Sequence, residues 1–140
     1  MRKVIPDYQK KQTLLYVERR DPAELAGYGD LYLEEGRTAD ALEFYQVARY
    51  TPGLERLQEM ATAAGDVMLS QQAMKALGRQ IEPADWDRVG EQAFALGKYL
   101  FGLYAFEKSG NAAAAERVRE AIQREANEQS SCQNVVIMMS

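Results

Sequence analysis

Apolar residues recur every three or four positions along most of this chain, and short polar turns interrupt them at close intervals. That period predicts helices rather than strands. Leu14, Leu15 and Val17 stand among Lys and Gln between Asp7 and Arg20, a first helix. Asp21-Pro22 opens a second, with Asp as N-cap, Pro at the first helical position and Glu24 placed to complete a capping box. Gly36 ends it, since glycine takes positive φ readily at a helix C-terminus. Thr38 is then placed to cap a helix carrying Ala41, Leu42, Tyr45 and Ala48. Thr51-Pro52 closes that helix and opens a stripe of Leu54, Leu57, Met60 and Ala61, which ends at Gly65.

The pattern repeats downstream. Asp66 is placed to cap a helix with Val67, Met74 and Leu77, closed at Gly78. Glu82-Pro83 begins another with Trp86, Val89, Gly90 and Ala93, closed at Gly97. Tyr99 to Ser109 follows, interrupted by Gly102 and closed at Gly110. Asn111 caps a last helix from Ala112 to about Asn127. Its Ala115, Val118, Ala121 and Ile122 share one side, away from Glu116, Arg119, Glu120, Gln123 and Arg124. No strand is expected before residue 130. Asp85 and Asp87 flank Trp86, where acids suit the first turn of a helix.

Connections this short force sequence neighbours to pack antiparallel. About eight helices therefore form an all-α array of hairpins, a single domain over residues 1–129 of the 140. Residues 130–140, SSCQNVVIMMS, read as a flexible tail: Ser130 to Asn134 as linker, then the unbroken apolar run Val135 to Met139. That run is either a frayed terminus, a clip over exposed apolar surface or an anchor for a partner.

Three Gly-plus-polar turns, Glu35-Gly36-Arg37, Ala64-Gly65-Asp66 and Leu96-Gly97-Lys98, fall between paired helices at similar intervals. The stretch Leu25-x₂-Tyr28-Gly29-x₂-Tyr32, then Ala41-x₃-Tyr45, then Ala48 and Pro52 resembles a tetratricopeptide repeat, whose pattern is W-x₂-L-G-x₂-Y, A-x₃-F and P. Trp86-x₂-Val89-Gly90 with Gly102-x₃-Phe106 resembles it too. The unit around Gly65 matches poorly, with Gln58 where glycine is expected and Ser70-x₃-Met74 for the later pair. The resemblance covers most of Lys10 to Asn127. It implies a short right-handed α-solenoid, with the last helix as a polar-faced C-terminal cap. That helix as a partner-binding element is the alternative. Gly29 and Ala41 are expected to face each other as two missing side chains, with Tyr32 and Tyr45 filling the seam around them.

Composition narrows the chemistry. The chain has no histidine and one cysteine, Cys132, so it lacks the commonest general base and cannot form an internal disulfide or a cysteine-based zinc site. No glycine-rich phosphate loop or supported acid pair stands out. No catalysis and no cofactor are expected. With 21 acids against 17 bases the net charge is −4, which disfavours nucleic acid as a partner. The N-terminus is basic but lacks the apolar run of a secretory signal, and no stretch is apolar enough to span a bilayer, so a cytoplasmic protein is expected.

What remains is protein binding. In the resembled family the first helix of each hairpin lines a concave groove. Carried over unit by unit, this implies Asp30, Leu33 and Glu34, then Glu55, Glu59 and Thr62, then Asp87, Glu91, Phe94 and Ala95. Acids dominate, so the expected partner is a basic or amphipathic segment of another protein. The alternative for these acids is a solvated face, with Arg56 and Arg88 neutralising Glu55 and Asp87 beside them. A second reading is a self-associating structural subunit, joined through Tyr99, Phe101 or Tyr104.

Overall fold

The computed structural model describes residues 4–139, without the side chains of 133–137 and 139. Among them are eight α-helices, one π-helical turn and no strand. Helix α1 (Tyr8–Gln12) runs into the π turn Thr13–Val17; α2 is Pro22–Glu34, α3 Thr38–Ala48 and α4 Thr51–Ala63. Then follow α5 (Val67–Ala76), α6 (Pro83–Ala95), α7 (Tyr99–Ser109) and α8 (Ala112–Met139). No helix among the described residues is long and apolar enough to cross a membrane.

Helix ends follow the turn residues. Gly36, Gly65, Gly78, Gly97 and Gly110 all take positive φ, and Arg49 does so after α3. Asp21 caps α2 by accepting from the Ala23 N–H at 3.1 Å. Glu24 does not complete a capping box there; it holds Arg20 at 3.0 Å. The box forms instead at α6, where Asp85 accepts from the Glu82 N–H at 2.9 Å. Asn111 caps α8 as expected, through the Ala114 N–H. Thr38 does not cap α3. It is already helical, and Arg37 sits at the cap position without a side-chain capping bond, its guanidinium holding Asp40 instead.

The first helix is shorter than its sequence suggests. Its ladder widens at Thr13, where the Glu18 N–H reaches back five residues to the Thr13 carbonyl at 2.9 Å. At the other end, α8 does not stop near Asn127. No glycine or proline occurs between Ala112 and Met139, so nothing breaks the ladder through the residues expected to be a linker. Of the apolar run Val135 to Met139, the side chain of Met138 is described, and it is exposed.

The contacts gather into two compact units. The first holds the chain up to Ala61 together with Met68–Ile81, and the second Thr62–Val67 with the chain from Glu82. The core of the first is built by Leu14, Leu25, Tyr32, Phe44, Tyr45, Leu54 and Leu57. In the second, Phe106 packs on Ala114, Ala115 and Val118. Met60 leaves the stripe expected for α4: Leu54, Leu57 and Ala61 are buried, while Met60 is 43% exposed.

The helices α2, α3 and α4 recur in α6, α7 and α8 at a constant offset. Pro83 against Pro22, Tyr99 against Thr38 and Ala112 against Thr51 each stand 61 positions later. The same offset relates Gly97 to Gly36, Gly90 to Gly29, Phe106 to Tyr45 and the left-handed Gly110 to Arg49. Packing repeats with it. A Cβ added at Gly29 would meet the Tyr45 ring at 2.6 Å, and one at Gly90 would meet Phe106 at 3.0 Å. Gly29 thus makes room for the Tyr45 ring, the nearest group to it. A close backbone approach does occur in the second unit, where a Cβ on Gly102 would lie 3.3 Å from the Gly90 carbonyl oxygen.

Candidate partner-binding surface

Asp30, Leu33 and Glu34 share one face of α2, being three and four residues apart. Arg56 and Met60 lie four apart on α4, as do Glu55 and Glu59. The first unit brings these faces around two adjoining hollows. One, of about 410 Å³, is lined by Asp30, Tyr50, Pro52, Gly53, Glu55, Arg56 and Glu59. The other, of about 370 Å³, is lined by Asp30, Leu33, Glu34, Arg56 and Met60. Asp30 and Arg56 belong to both.

Five of the residues expected at a groove, Asp30, Leu33, Glu34, Glu55 and Glu59, therefore converge. Their electrostatics differ from an acidic strip. Asp30 accepts a hydrogen bond from the Tyr45 hydroxyl. Tyr45 is buried, and burial first, then the bond to Asp30, pushes its pKa far above the ordinary tyrosine value. Glu55 is held by Arg79 at 2.8 Å. Arg56 does not neutralise it; neighbours in sequence point about 100° apart around a helix and do not face each other. Among the described residues Arg56, Glu34 and Glu59 make no ion pair.

The residues expected in the second unit have partners of their own. Glu91 pairs with Arg117 at 2.7 Å. The Arg117 guanidinium also stands over the Phe94 ring, 5.9 Å from its centre, and Phe94 packs on Tyr99 at 5.6 Å. Asp87 accepts weakly from the Asn111 amide at 3.4 Å. Arg88 reaches Asp85 at 3.9 Å, not the adjacent Asp87. Thr62 is half-buried and Ala95 exposed, and neither lines the two hollows. Sequence reasoning missed Arg56, Tyr50, Pro52, Gly53 and Met60, which complete the lining. Their signal was available: Arg56 lies three residues before Glu59 on the exposed side of the stripe.

A second exposed feature lies at the tip of the α6–α7 hairpin. Leu96, Leu100 and Phe101 are 55%, 75% and 47% exposed. Of the other two aromatics expected at a self-association face, Tyr99 rests on Phe94, and Tyr104 meets Trp86 edge-on at 5.9 Å. Comparison of the chain with family models, curated proteins and solved structures finds no match.

Proposed function

We propose that this chain is a non-catalytic protein-interaction module, a tetratricopeptide-like right-handed array of hairpins whose α2–α4 hollows hold a basic or amphipathic segment of another protein. The observation that carries this reading is the convergence of Asp30, Leu33, Glu34 and Glu59 on adjoining hollows. Glu34 and Glu59 offer carboxylates to a cation, while Leu33, Met60 and Tyr50 offer apolar surface beside them. The charges set on-rate and selectivity, and the apolar residues supply affinity. Support for the family comes from the 61-residue recurrence and from the glycine–aromatic packing that recurs with it. The module works in the cytoplasm in this reading.

The test is an array of synthetic amphipathic peptides of graded charge, read at low salt. The tightest binder should lose at least tenfold in affinity to a Glu34→Lys, Glu59→Lys variant and be indifferent to Glu91→Lys. Equal binding by the double variant would overturn the reading.

Leu96, Leu100 and Phe101 favour a second reading, self-association through the α6–α7 tip. Sedimentation of Leu100→Glu, Phe101→Glu beside the unaltered chain separates the two. A dimer that this variant dissolves supports self-association, and a monomer in both cases removes it.

A further inference from the structure

The internal recurrence places one constellation in the molecule twice, in two different states. In the second unit Glu91, Arg117 and Phe106 stand where the first has Asp30, Arg56 and Tyr45. Where the ring is phenylalanine, the carboxylate pairs with the arginine at 2.7 Å. Where the ring carries a hydroxyl, the carboxylate accepts from that hydroxyl, and among the described residues the arginine has no ion partner. The ring that aims this hydroxyl has little freedom. A Cβ on Gly29 would meet it at 2.6 Å and one on Gly53 at 2.7 Å, so its Cδ1–Cε1 edge rests on two bare backbone positions. Arg56 is near enough for its charge to oppose the rise in the Tyr45 pKa.

We infer that the Tyr45 hydroxyl decides which partner the Asp30 carboxylate takes, and thereby keeps the Arg56 guanidinium free to accept a carboxylate from a bound segment. The role of Tyr45 stands on the geometry alone; its consequence for binding rests on the function proposed above. The segment that fits is one of mixed charge. Its cation faces Glu34 and Glu59, and an acid within reach faces Arg56. Tyr45 touches Asp30 and not that acid, so it is a positioning residue.

The test uses the full chain and needs no natural partner. In Tyr45→Phe the Asp30 carboxylate should turn to Arg56, as Glu91 does to Arg117. Phe106, which packs on Gly90 and Ala114, shows that the recurrent position accepts phenylalanine. Nuclear magnetic resonance of the arginine side chains reads the change. The Arg56 Nη–H signal should exchange rapidly with water in the unaltered chain and slow in the variant, as expected for Arg117, whose Nη2 holds Glu91. In Asp30→Asn, Tyr45→Phe it should return to rapid exchange. Sodium acetate, as a carboxylate probe, should move the Arg56 signal in the unaltered chain several-fold more than in Tyr45→Phe. An Arg56 signal unchanged by Tyr45→Phe, or protected from the outset, would overturn the inference. Neither outcome touches the peptide result with Glu34 and Glu59, so the two proposals fail separately.

Discussion

The Tyr45 ring lies so close to Gly29 that a single added methyl group would stand 2.6 Å from it. The ring has little room to retreat, because Gly53 also stands close, at 2.7 Å from an added Cβ, and Tyr45 is fully buried. Gly29→Ala gains up to about 1 kcal/mol of helix propensity. Overpacking costs about 1–3 kcal/mol and outweighs it. Gly29→Ala and Gly53→Ala should therefore both lower the unfolding midpoint. Gly90→Ala should be milder, since its nearest contacts are 3.0 and 3.2 Å and the Phe106 ring needs to give only a few tenths of an ångström. Denaturant titration of the three variants checks the order. A Gly90→Ala variant worse than Gly29→Ala would contradict it.

Arg49 occupies a left-handed position, φ 53°, where the recurrent copy has Gly110 at 77°. For a residue with a Cβ that conformation costs roughly 1–2 kcal/mol. Arg49 is exposed and makes no ion pair among the described residues that would offset the strain. Glycine also gains more entropy in the unfolded chain, which removes part of the benefit. Arg49→Gly should still stabilise the protein by about 0.5–1 kcal/mol. Gly110→Arg should destabilise it by a similar amount. Thermal melts of both variants should move in opposite directions.

Much of this architecture is legible in the residues. Proline and glycine mark where helices begin and end, because one lacks an N–H and the other tolerates positive φ. The period of Leu54, Leu57 and Ala61, or of Trp86, Val89 and Ala93, names the buried face. Three features escape such a reading. Gly53 sits in the first turn of α4, where nothing local shows that it borders a ring eight residues earlier. Pairing across space is invisible in a window: Glu55 takes Arg79, 24 residues on, and leaves its neighbour Arg56 to the hollow. The polar run around Ser130 and Ser131 suggests a linker by composition, yet composition alone does not break a helix that lacks glycine and proline. Of the candidate site, the α2 face was readable from i, i+3, i+4 spacing. The state of Asp30 was not, because it depends on where a buried hydroxyl points.

Lys11 is the one buried lysine among the described residues, and it holds Asp40 at 2.7 Å and Glu43 at 2.6 Å. Tyr16 donates to the same Glu43 at 2.6 Å, and the Tyr32 hydroxyl donates to the Pro6 carbonyl at 3.1 Å. Together these tie the N-terminal segment to α2 and α3. Partial burial alone would raise both carboxyls, but Lys11, with Arg37 at Asp40 and the Tyr16 hydroxyl at Glu43, outweighs it and holds both below their ordinary values. For Lys11, burial would lower the pKa, and the two acids outweigh that and raise it above 10.5. The acids' contribution is present above their unfolded pKa values and is lost as pH falls through the depressed folded ones. The lysine's contribution is complete below 10.5 and is lost as pH rises through its raised value. Between about pH 5 and 10 the clamp should hold steady. Amide hydrogen exchange over residues 8–17 should show it loosening first below about pH 4. Lys11→Met leaves Asp40 to Arg37 at 3.0 Å and Glu43 to the Tyr16 hydroxyl, and should cost about 1–2 kcal/mol. The variant should also lose part of the acid dependence of that segment.

Helix α8 outruns the packing that supports it. Ala114, Ala115, Val118 and Ala121 are buried and Ile122 is half-buried; residues 123–132 are all exposed. At 1.5 Å per residue, the stretch from 123 to Met139 extends about 25 Å past Ile122, the last described side chain of the helix that is at least half-buried. Helical stability comes mainly from tertiary packing of one face, and an unsupported helix of this length is marginal on its own. Two consequences separate. Removing residues 128–140 should leave the unfolding midpoint of the chain within about 0.5 kcal/mol, because none of their described side chains is buried. The ellipticity at 222 nm should fall by less than the share of helix removed, as expected for a helix end without packing among its described side chains. Truncation after Ala113 is the contrast. It strips Ala114, Ala115 and Val118 from Phe106 and should cost the second unit several kcal/mol. A large loss of stability from the first truncation would mean that residues 128–140 are held by contacts beyond those of the described side chains, and would restore the clip as their role.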